Sequence, residues 1–270
     1  MNQDPTFAGP KDTWASGDDY EPYVGRWSRL VAREFLQWLA MPAGSQWLDI
    51  GCGTGALSQT ILQVAEPAKI KGMDRSDGYV AYARAHTQDK QVEFEVGDAE
   101  ALTVESGSFD AVVSGLVLNF LPLPTRAVAE MTRAARPDGM VAAYIWDYAG
   151  RMQLMRHFWD AAVALDPSAA DLDEGRRFPI CQPDPLKQIF DAARLRDVEV
   201  RPIEVSTKFQ DFDDYWSPFL GGQGPAPSYA MSLSEEGRLA LRERIRAGLP
   251  IATDGSIPLV ARAWAVKGGR

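Results

Sequence analysis

The stretch Gln46-Trp47-Leu48-Asp49-Ile50-Gly51-Cys52-Gly53-Thr54-Gly55 passes from a short apolar run into three alternating glycines. An apolar run of that length, closed by glycine, reads as a buried strand entering a tight turn. Ala56–Ala65 then reads as a helix. A strand, a glycine turn and a helix in succession bring backbone N–H groups and a helix N-terminus against a ligand, and side chains at the glycine positions would block its approach. Taken alone, the turn does not identify its ligand, because Gly51, Gly53 and Ala56 satisfy the looser dinucleotide fingerprint G-x-G-x-x-G/A.

Working outward, the alternation continues. Lys69–Asp74, Val92–Val96, Phe109–Ser114 and Met140–Trp146 read as further strands, and Asp77–His86 and Thr125–Arg136 as helices, the latter stopped by Pro137-Asp138-Gly139. Strands alternating with helices at this spacing imply a parallel sheet. Beyond Asp147 the rhythm breaks. Gln153–Leu165 and Pro185–Ala193 look helical around a loop-rich stretch, Val198–Val205 and Leu259–Val266 look like strands, and Ser234–Ala247 looks like a helix. The predicted architecture is α/β: a Rossmann-like, doubly wound, mostly parallel seven-stranded sheet with helices on both faces. A mobile arm over residues 1–20 precedes one domain over 21–270, which carries a lid-like C-terminal insertion over roughly 206–250. Upstream, Trp27, Leu30, Val31, Phe35, Trp38 and Leu39 fall at helical spacing and predict an amphipathic helix ended by Pro42 and Gly44.

Three carboxylates narrow the ligand. Asp49 lies two residues before Gly51, where it can meet a ligand ammonium or order the turn. Asp74 ends the second strand, about 20 residues past the glycines, where an acid accepts from two ribose hydroxyls. Asp98, in Gly97-Asp98-Ala99, follows the third strand, where a carboxylate can accept from an adenine amino group. Each alone reads as a solvated loop acid; together they stand at the ends of successive parallel strands, where such sheets bind ligands. The chain has no Tyr-x-x-x-Lys pair, which disfavours an NAD(P)-dependent oxidoreductase.

Composition sets the outer limits. The chain has 270 residues, is 46% hydrophobic and carries a net charge of −9. An acidic chain without a Lys/Arg cluster beyond pairs such as Arg176-Arg177 lacks the footprint a phosphate backbone needs, so no nucleic-acid partner is expected. The polar N-terminus is not a signal peptide, and no stretch approaches the ~20 apolar residues of a membrane span. Cys52 and Cys181 fit neither a disulfide framework nor a metal motif and read as reduced thiols, so the expected location is the cytoplasm, without metal.

With these motifs in place the chain resembles the class I S-adenosylmethionine-dependent methyltransferases. Residues 47–55 look like their first motif, Gly72-Met73-Asp74 their second, Val96–Leu102 their adenine-contacting third, Phe109–Ser114 their fourth strand, and Arg136–Met140 the turn before the fifth. The resemblance covers roughly residues 20–147 and is nearest the small-molecule branch that includes the ubiquinone/menaquinone-biosynthesis type. It implies S-adenosylmethionine as cofactor. Gly51, Gly53 and Gly55 would pass beneath its methionyl part and Asp49 would help hold the amino group. Asp74 would bind the ribose diol, with Met73 or Arg75 flanking the adenine and Asp98 and Ala99 at its edge. Ser114, Gly115 and Leu116 would lie near the methyl end, and Tyr23 and Arg26 would close over the carboxylate. Asn119 stands where many relatives carry His.

Methyl transfer from a sulfonium depends chiefly on positioning, so no catalytic base is required by the chemistry itself. The candidates for one are Asp147 and His157. The acceptor, a small molecule, is expected above the ends of the fourth and fifth strands, with Asn119, Trp146, Tyr148 and Trp216 as candidate contacts. Phe212, Tyr215, Trp216 and Phe219, leading into Gly221-Gly222, suggest an aromatic lid; packing of the insertion onto the core explains the same rings. Arg176-Arg177 reads as a solvated pair that can also attract an anionic acceptor. A non-catalytic adenosyl-binding protein remains the alternative of a different class.

Overall fold

A computed structural model describes residues 25–221 and 224–270. Tyr23, the arm over residues 1–20 and Gly222 lie outside the described residues. Five strands run parallel: β1 (Gln46–Ile50), β2 (Lys69–Asp74), β3 (Val92–Val96), β4 (Phe109–Gly115) and β5 (Ala135–Trp146). Two more, β6 (Arg196–Phe209) and β7 (Ile257–Gly269), form an antiparallel pair in which β7 borders β5. The spatial order is β3-β2-β1-β4-β5-β7-β6. The chain therefore winds outward from β1 to β3 and returns to the other side of β1 with β4. That reversal opens a crevice at the C-terminal ends of β1 and β4, where sheets of this type take ligands.

Burial follows the strand sequences. Leu48, Ala111, Val112, Val113, Val141, Ala142 and Ala143 are wholly buried, as expected where helices cover both faces of a parallel sheet. The helices of eight or more residues are α1 (Arg26–Leu39), α2 (Ala56–Val64), α3 (Asp77–His86), α4 (Pro124–Ala134), α5 (Gln153–Leu165), α6 (Pro183–Ala192), α7 (Pro225–Ser232) and α8 (Glu235–Gly248) among the described residues. α1 packs on α2, β6 and β7, while α6 packs on α4, β6 and β7, so both faces are covered. None of these helices is long and apolar enough to cross a membrane.

Two boundaries differ from the sequence expectation. The fourth helix stops at Ala134, and β5 already begins at Ala135, opposite Phe109. Pro137 disfavours helical backbone at Arg136, and the ladder slips before resuming at Ala111–Met140. Asp138, at φ +62°, turns the bulge. The connection between β6 and β7 also starts later than expected, since Phe209 still pairs with Ile257 and the intervening stretch spans residues 210–256.

The aromatic run expected as a lid packs inward instead. Phe212, Tyr215, Trp216 and Phe219 point into the core and are at most 5% exposed. The Tyr215 hydroxyl donates to the Leu154 carbonyl at 2.8 Å, and Phe219 stacks on Phe158 with centroids 4.6 Å apart. Burying rings of this size contributes roughly 2 kcal/mol each, so they fix the connection onto α5 and do not swing over a ligand. Trp216 accordingly packs against Phe219 and presents no free face to an acceptor.

Candidate functional site

The glycine turn adopts a backbone that explains its composition. Gly51, Gly53 and Gly55 have φ of +71°, +52° and +88°, a region that L side chains rarely adopt. Their surroundings differ. A Cβ on Gly51 would lie 2.5 Å from the Val117 side chain, so that glycine is required by packing. A Cβ on Gly53 would meet nothing within 4 Å, leaving open space over the turn. The N–H groups of Gly51 and Cys52 both donate to the Met73 carbonyl, at 2.7 and 3.0 Å, which ties the turn to the end of β2.

Asp49 is wholly buried. Its Oδ2 accepts from the Ser58 hydroxyl at 2.7 Å, whereas its Oδ1 has no partner. Burial, with the nearby Asp74 charge adding to it against the Ser58 hydrogen bond, pushes its pKa up to about 7. A buried acid with one unmet oxygen is costly in isolation and calls for a cationic or N–H donor beside it. Asp74 receives the N–H groups of Gly53 at 3.0 Å and Ser76 at 2.9 Å. Burial raises its pKa as well, against those two hydrogen bonds. Asp98 is exposed on the rim and accepts from the Glu100 N–H at 2.9 Å. Ala99 is half-buried beside it, and Arg75 is exposed. Met73 is buried, with its methyl group pressed where a Gly97 side chain would stand.

At the end of β4, Ser114 is wholly buried and its hydroxyl has no partner. Leu116 has φ +64° and donates its N–H to the Tyr144 carbonyl at 2.7 Å. Such a backbone in a residue other than glycine costs of order 1 kcal/mol and gathers at functional sites. Asn119 follows in a single 3-10 turn, Leu118–Phe120, 7% exposed and with its amide nitrogen unpartnered. β1 and β4 are adjacent, with Asp49 paired to Val113. Unmet buried polar atoms of Asp49, Ser114 and Asn119 thus stand at the C-terminal ends of two neighbouring strands. Two open surface hollows lie elsewhere: one beside Leu102, Arg126 and Arg133, the other beside Arg84, Gln88 and Phe94.

Arg26 opens α1, with Nη1 donating to Asp214 at 2.8 Å and its guanidinium 4.5 Å and 4.8 Å from the Trp27 and Phe209 ring centroids. Its Nε and Nη2 are buried without partners. Two candidate bases fare differently. Asp147 is 3% exposed, and its Oδ2 takes donors from Arg262 Nε at 2.7 Å, Arg262 Nη2 at 2.6 Å and the Arg151 N–H at 2.8 Å. It pins the turn after β5 to β7, a structural use of the charge. Arg262→Met is expected to lower unfolding stability by about 2 kcal/mol by stranding that carboxylate. Thermal melts read the loss; a variant as stable as the parent would show that the pair does not hold the turn. His157, half-buried on α5, has its pKa lowered by burial and is neutral at pH 7. Trp146 and Tyr148 are both buried, on either side of Asp147.

One aromatic at the strand exits leaves no mark in the sequence. Phe178, in the loop-rich stretch between α5 and α6, lies edge-on to Phe120 with centroids 5.2 Å apart and tilted on Tyr148 at 6.1 Å. It therefore spans the exits of β4 and β5. A lone aromatic with no periodicity around it gave no local signal.

Residues 48–143 match the family model of the methyltransferase domain. A ubiquinone biosynthesis O-methyltransferase of Xanthomonas axonopodis is 33% identical over 112 residues, which are 40% of this chain and 46% of that protein. A tRNA carboxymethyluridine methyltransferase of Mus musculus is 37% identical over 123 residues, 44% of this chain and 17% of that protein. The chain thus spans less than half the length of these curated relatives. Among solved structures, phosphoethanolamine N-methyltransferase 2 of Haemonchus contortus, in complex with phosphomonomethylethanolamine and S-adenosylhomocysteine, superposes with a TM-score of 0.59. It is 16% identical, covering 93% of this chain and 57% of that one, a likeness of fold.

Proposed function

We propose that this chain, which carries a class I S-adenosylmethionine-dependent methyltransferase domain across residues 48–143, moves a methyl group from that cofactor to a small-molecule acceptor. The observation that carries the reading is the unmet Asp49 Oδ1 beneath a glycine turn with open space at Gly53. A buried, unmet carboxyl oxygen beside that open space suits a ligand that carries an ammonium group. Asp74 would accept from the ribose hydroxyls while keeping the Gly53 N–H, and Asp98 and Ala99 would meet the adenine edge from the rim. Arg26, with its buried Nε and Nη2 still unmet, would take the carboxylate. Ser114 and Leu116 would border the methyl end.

Bound there, S-adenosylmethionine supplies an electrophilic methyl on a sulfonium. The protein's part is then to hold the acceptor in line with it and exclude water, effects worth ~7–11 kcal/mol of barrier for well-oriented reactants. Asn119 can donate its free amide N–H to an acceptor oxygen and so fix its orientation. Neutral His157 and pinned Asp147 supply no observed proton path, which favours an acceptor that is already a competent nucleophile. The net charge of −9 supports a small molecule over RNA.

Calorimetric titration with S-adenosylmethionine, S-adenosylhomocysteine and NAD tests the reading. Micromolar binding of the two adenosyl ligands and none of NAD is expected. Binding of NAD alone would overturn it.

A further inference from the structure

The stretch between α5 and α6 crosses the exits of β4 and β5 and is fastened there through a buried acid. Its short helix, Glu174–Arg177, lies close on the turn after β5. A Cβ on Gly175 would stand 3.0 Å from the Ala149 Cα and 3.1 Å from the Tyr148 carbonyl oxygen. Next along the chain, Phe178 sits edge-on to Phe120 and tilted on Tyr148. Behind the helix, Glu174 is 2% exposed and accepts from the indole N–H of Trp159 on α5. Asp173 adds an ion pair to Arg156 of α5 at 2.7 Å and accepts from the Gly175 N–H at 2.8 Å. Burial pushes the Glu174 pKa up to about 8, so the fastened carboxyl is mostly protonated at pH 7.

We propose that residues 166–182 form a strap over the strand exits, latched by the protonated Glu174 carboxyl against Trp159 and released as that carboxyl ionises. Among the described residues no cation pairs with Glu174. On α5, Arg156 is committed to Asp173, His157 is neutral at pH 7 and Asp160 is exposed. On the turn after β5, Asp147 is held by Arg262. Within the strap, Asp173 disfavours the ionised form, Arg177 favours it without overcoming burial, and the buried Cys181 thiol has its own pKa raised. The Tyr229 phenol, whose ring meets that of Trp159, is raised by burial as well. A buried carboxylate without a counter-ion is costly, so ionisation favours the open strap, where water takes up the charge. The open form gives up the proton near the ordinary 4.5 and the latched form holds it to about 8. Opening therefore grows roughly tenfold per pH unit between about 5 and 8 and then levels off. Release uncovers the place proposed above for the acceptor. That consequence rests on the methyl-transfer reading; the latch itself does not.

Hydrogen exchange of the ligand-free full chain, read by mass spectrometry and divided by the intrinsic rate at each pH, tests the latch. Peptides within 166–182 are expected to open roughly tenfold more per unit from pH 6 to 7.5. At every pH they should be less protected than β4, which marks the opening as local. Glu174→Gln keeps an acceptor for the indole but cannot ionise, so its strap should show no pH step. Thermal melts establish that this variant is folded, and Glu174→Leu takes its place if it is not. A strap that opens independently of pH, a protection equal to that of β4, or a step that survives in the variant would overturn the inference. No cofactor enters the test, so its failure leaves the methyl-transfer reading standing. Failure of S-adenosylhomocysteine to bind would remove that reading and leave the latch.

Discussion

Replacing Asp74 with alanine is expected to weaken S-adenosylhomocysteine binding by roughly 100-fold. Each hydrogen bond to an ionised carboxylate is worth about 1.5–3 kcal/mol, and a ribose diol offers two. Taking the low end for both gives about 3 kcal/mol, which is the stated factor. The same carboxylate holds the Gly53 N–H at 3.0 Å and the Ser76 N–H at 2.9 Å, so its loss also loosens the glycine turn. Asp74→Asn separates the two contributions. An amide keeps one acceptor oxygen for the turn but loses charge and one acceptor site, and a loss nearer tenfold is expected. Calorimetry reads both affinities, and melts of the ligand-free variants show how much of the loss is turn disorder. An Asp74→Ala variant that binds within about threefold of the parent would remove Asp74 from the site.

The parts of this molecule that were legible in its sequence are those governed by local rules. The alternation from Gln46 to Trp146 carried both the order and the parallel sense of five strands, because apolar runs, glycine turns and helix starts each leave a mark within a few residues. From sequence the bend at Arg136–Gly139 reads as a helix end followed by a gap, since a bulge that keeps the chain in the ladder has the same prolines and glycines as a loop. The aromatic run at Phe212–Phe219 was open to two readings because ring content does not say which way a ring faces. Only the partner surface on α5, with Phe158 and the Leu154 carbonyl, decides that. Pairings across long sequence distances were illegible altogether: Asp147 with Arg262, Arg26 with Asp214, Phe178 with Phe120. In each, neither partner sits in a pattern that predicts the other. Gly51 shows a middle case, where the motif announces the glycine and only packing against Val117 explains why no other residue would do.

Cofactor affinity is expected to rise with pH, by roughly tenfold per unit between pH 5 and 7, and then to level off. The cause is Asp49, whose pKa is pushed up to about 7 by burial and by Asp74, so that below neutrality it holds a proton. The groups around it are the Ser58 hydroxyl, which donates to it, the buried Cys52 thiol and the Asp74 carboxylate; none of these can neutralise it. A ligand ammonium placed against Oδ1 favours the ionised form, so binding in that range releases a proton. The sign for folding runs the other way. Between about pH 4 and 7 the native chain binds more protons at Asp49 than the unfolded chain, so this residue's contribution to stability declines as pH rises through that window. Melting temperature without ligand should therefore drift down from pH 5 to 7 on account of Asp49, while the increment produced by S-adenosylmethionine grows. Calorimetry in buffers of different ionisation enthalpy counts the released proton directly. Asp49→Asn should remove both the proton and the pH slope and should leave the contribution of Glu174, which has the same sign for folding, in place. A pH-independent affinity in the parent, or a slope that persists in Asp49→Asn, would show that the unmet oxygen of Asp49 does not face the ligand's ammonium. The ligand would then be held by Asp74 and the rim residues without Asp49.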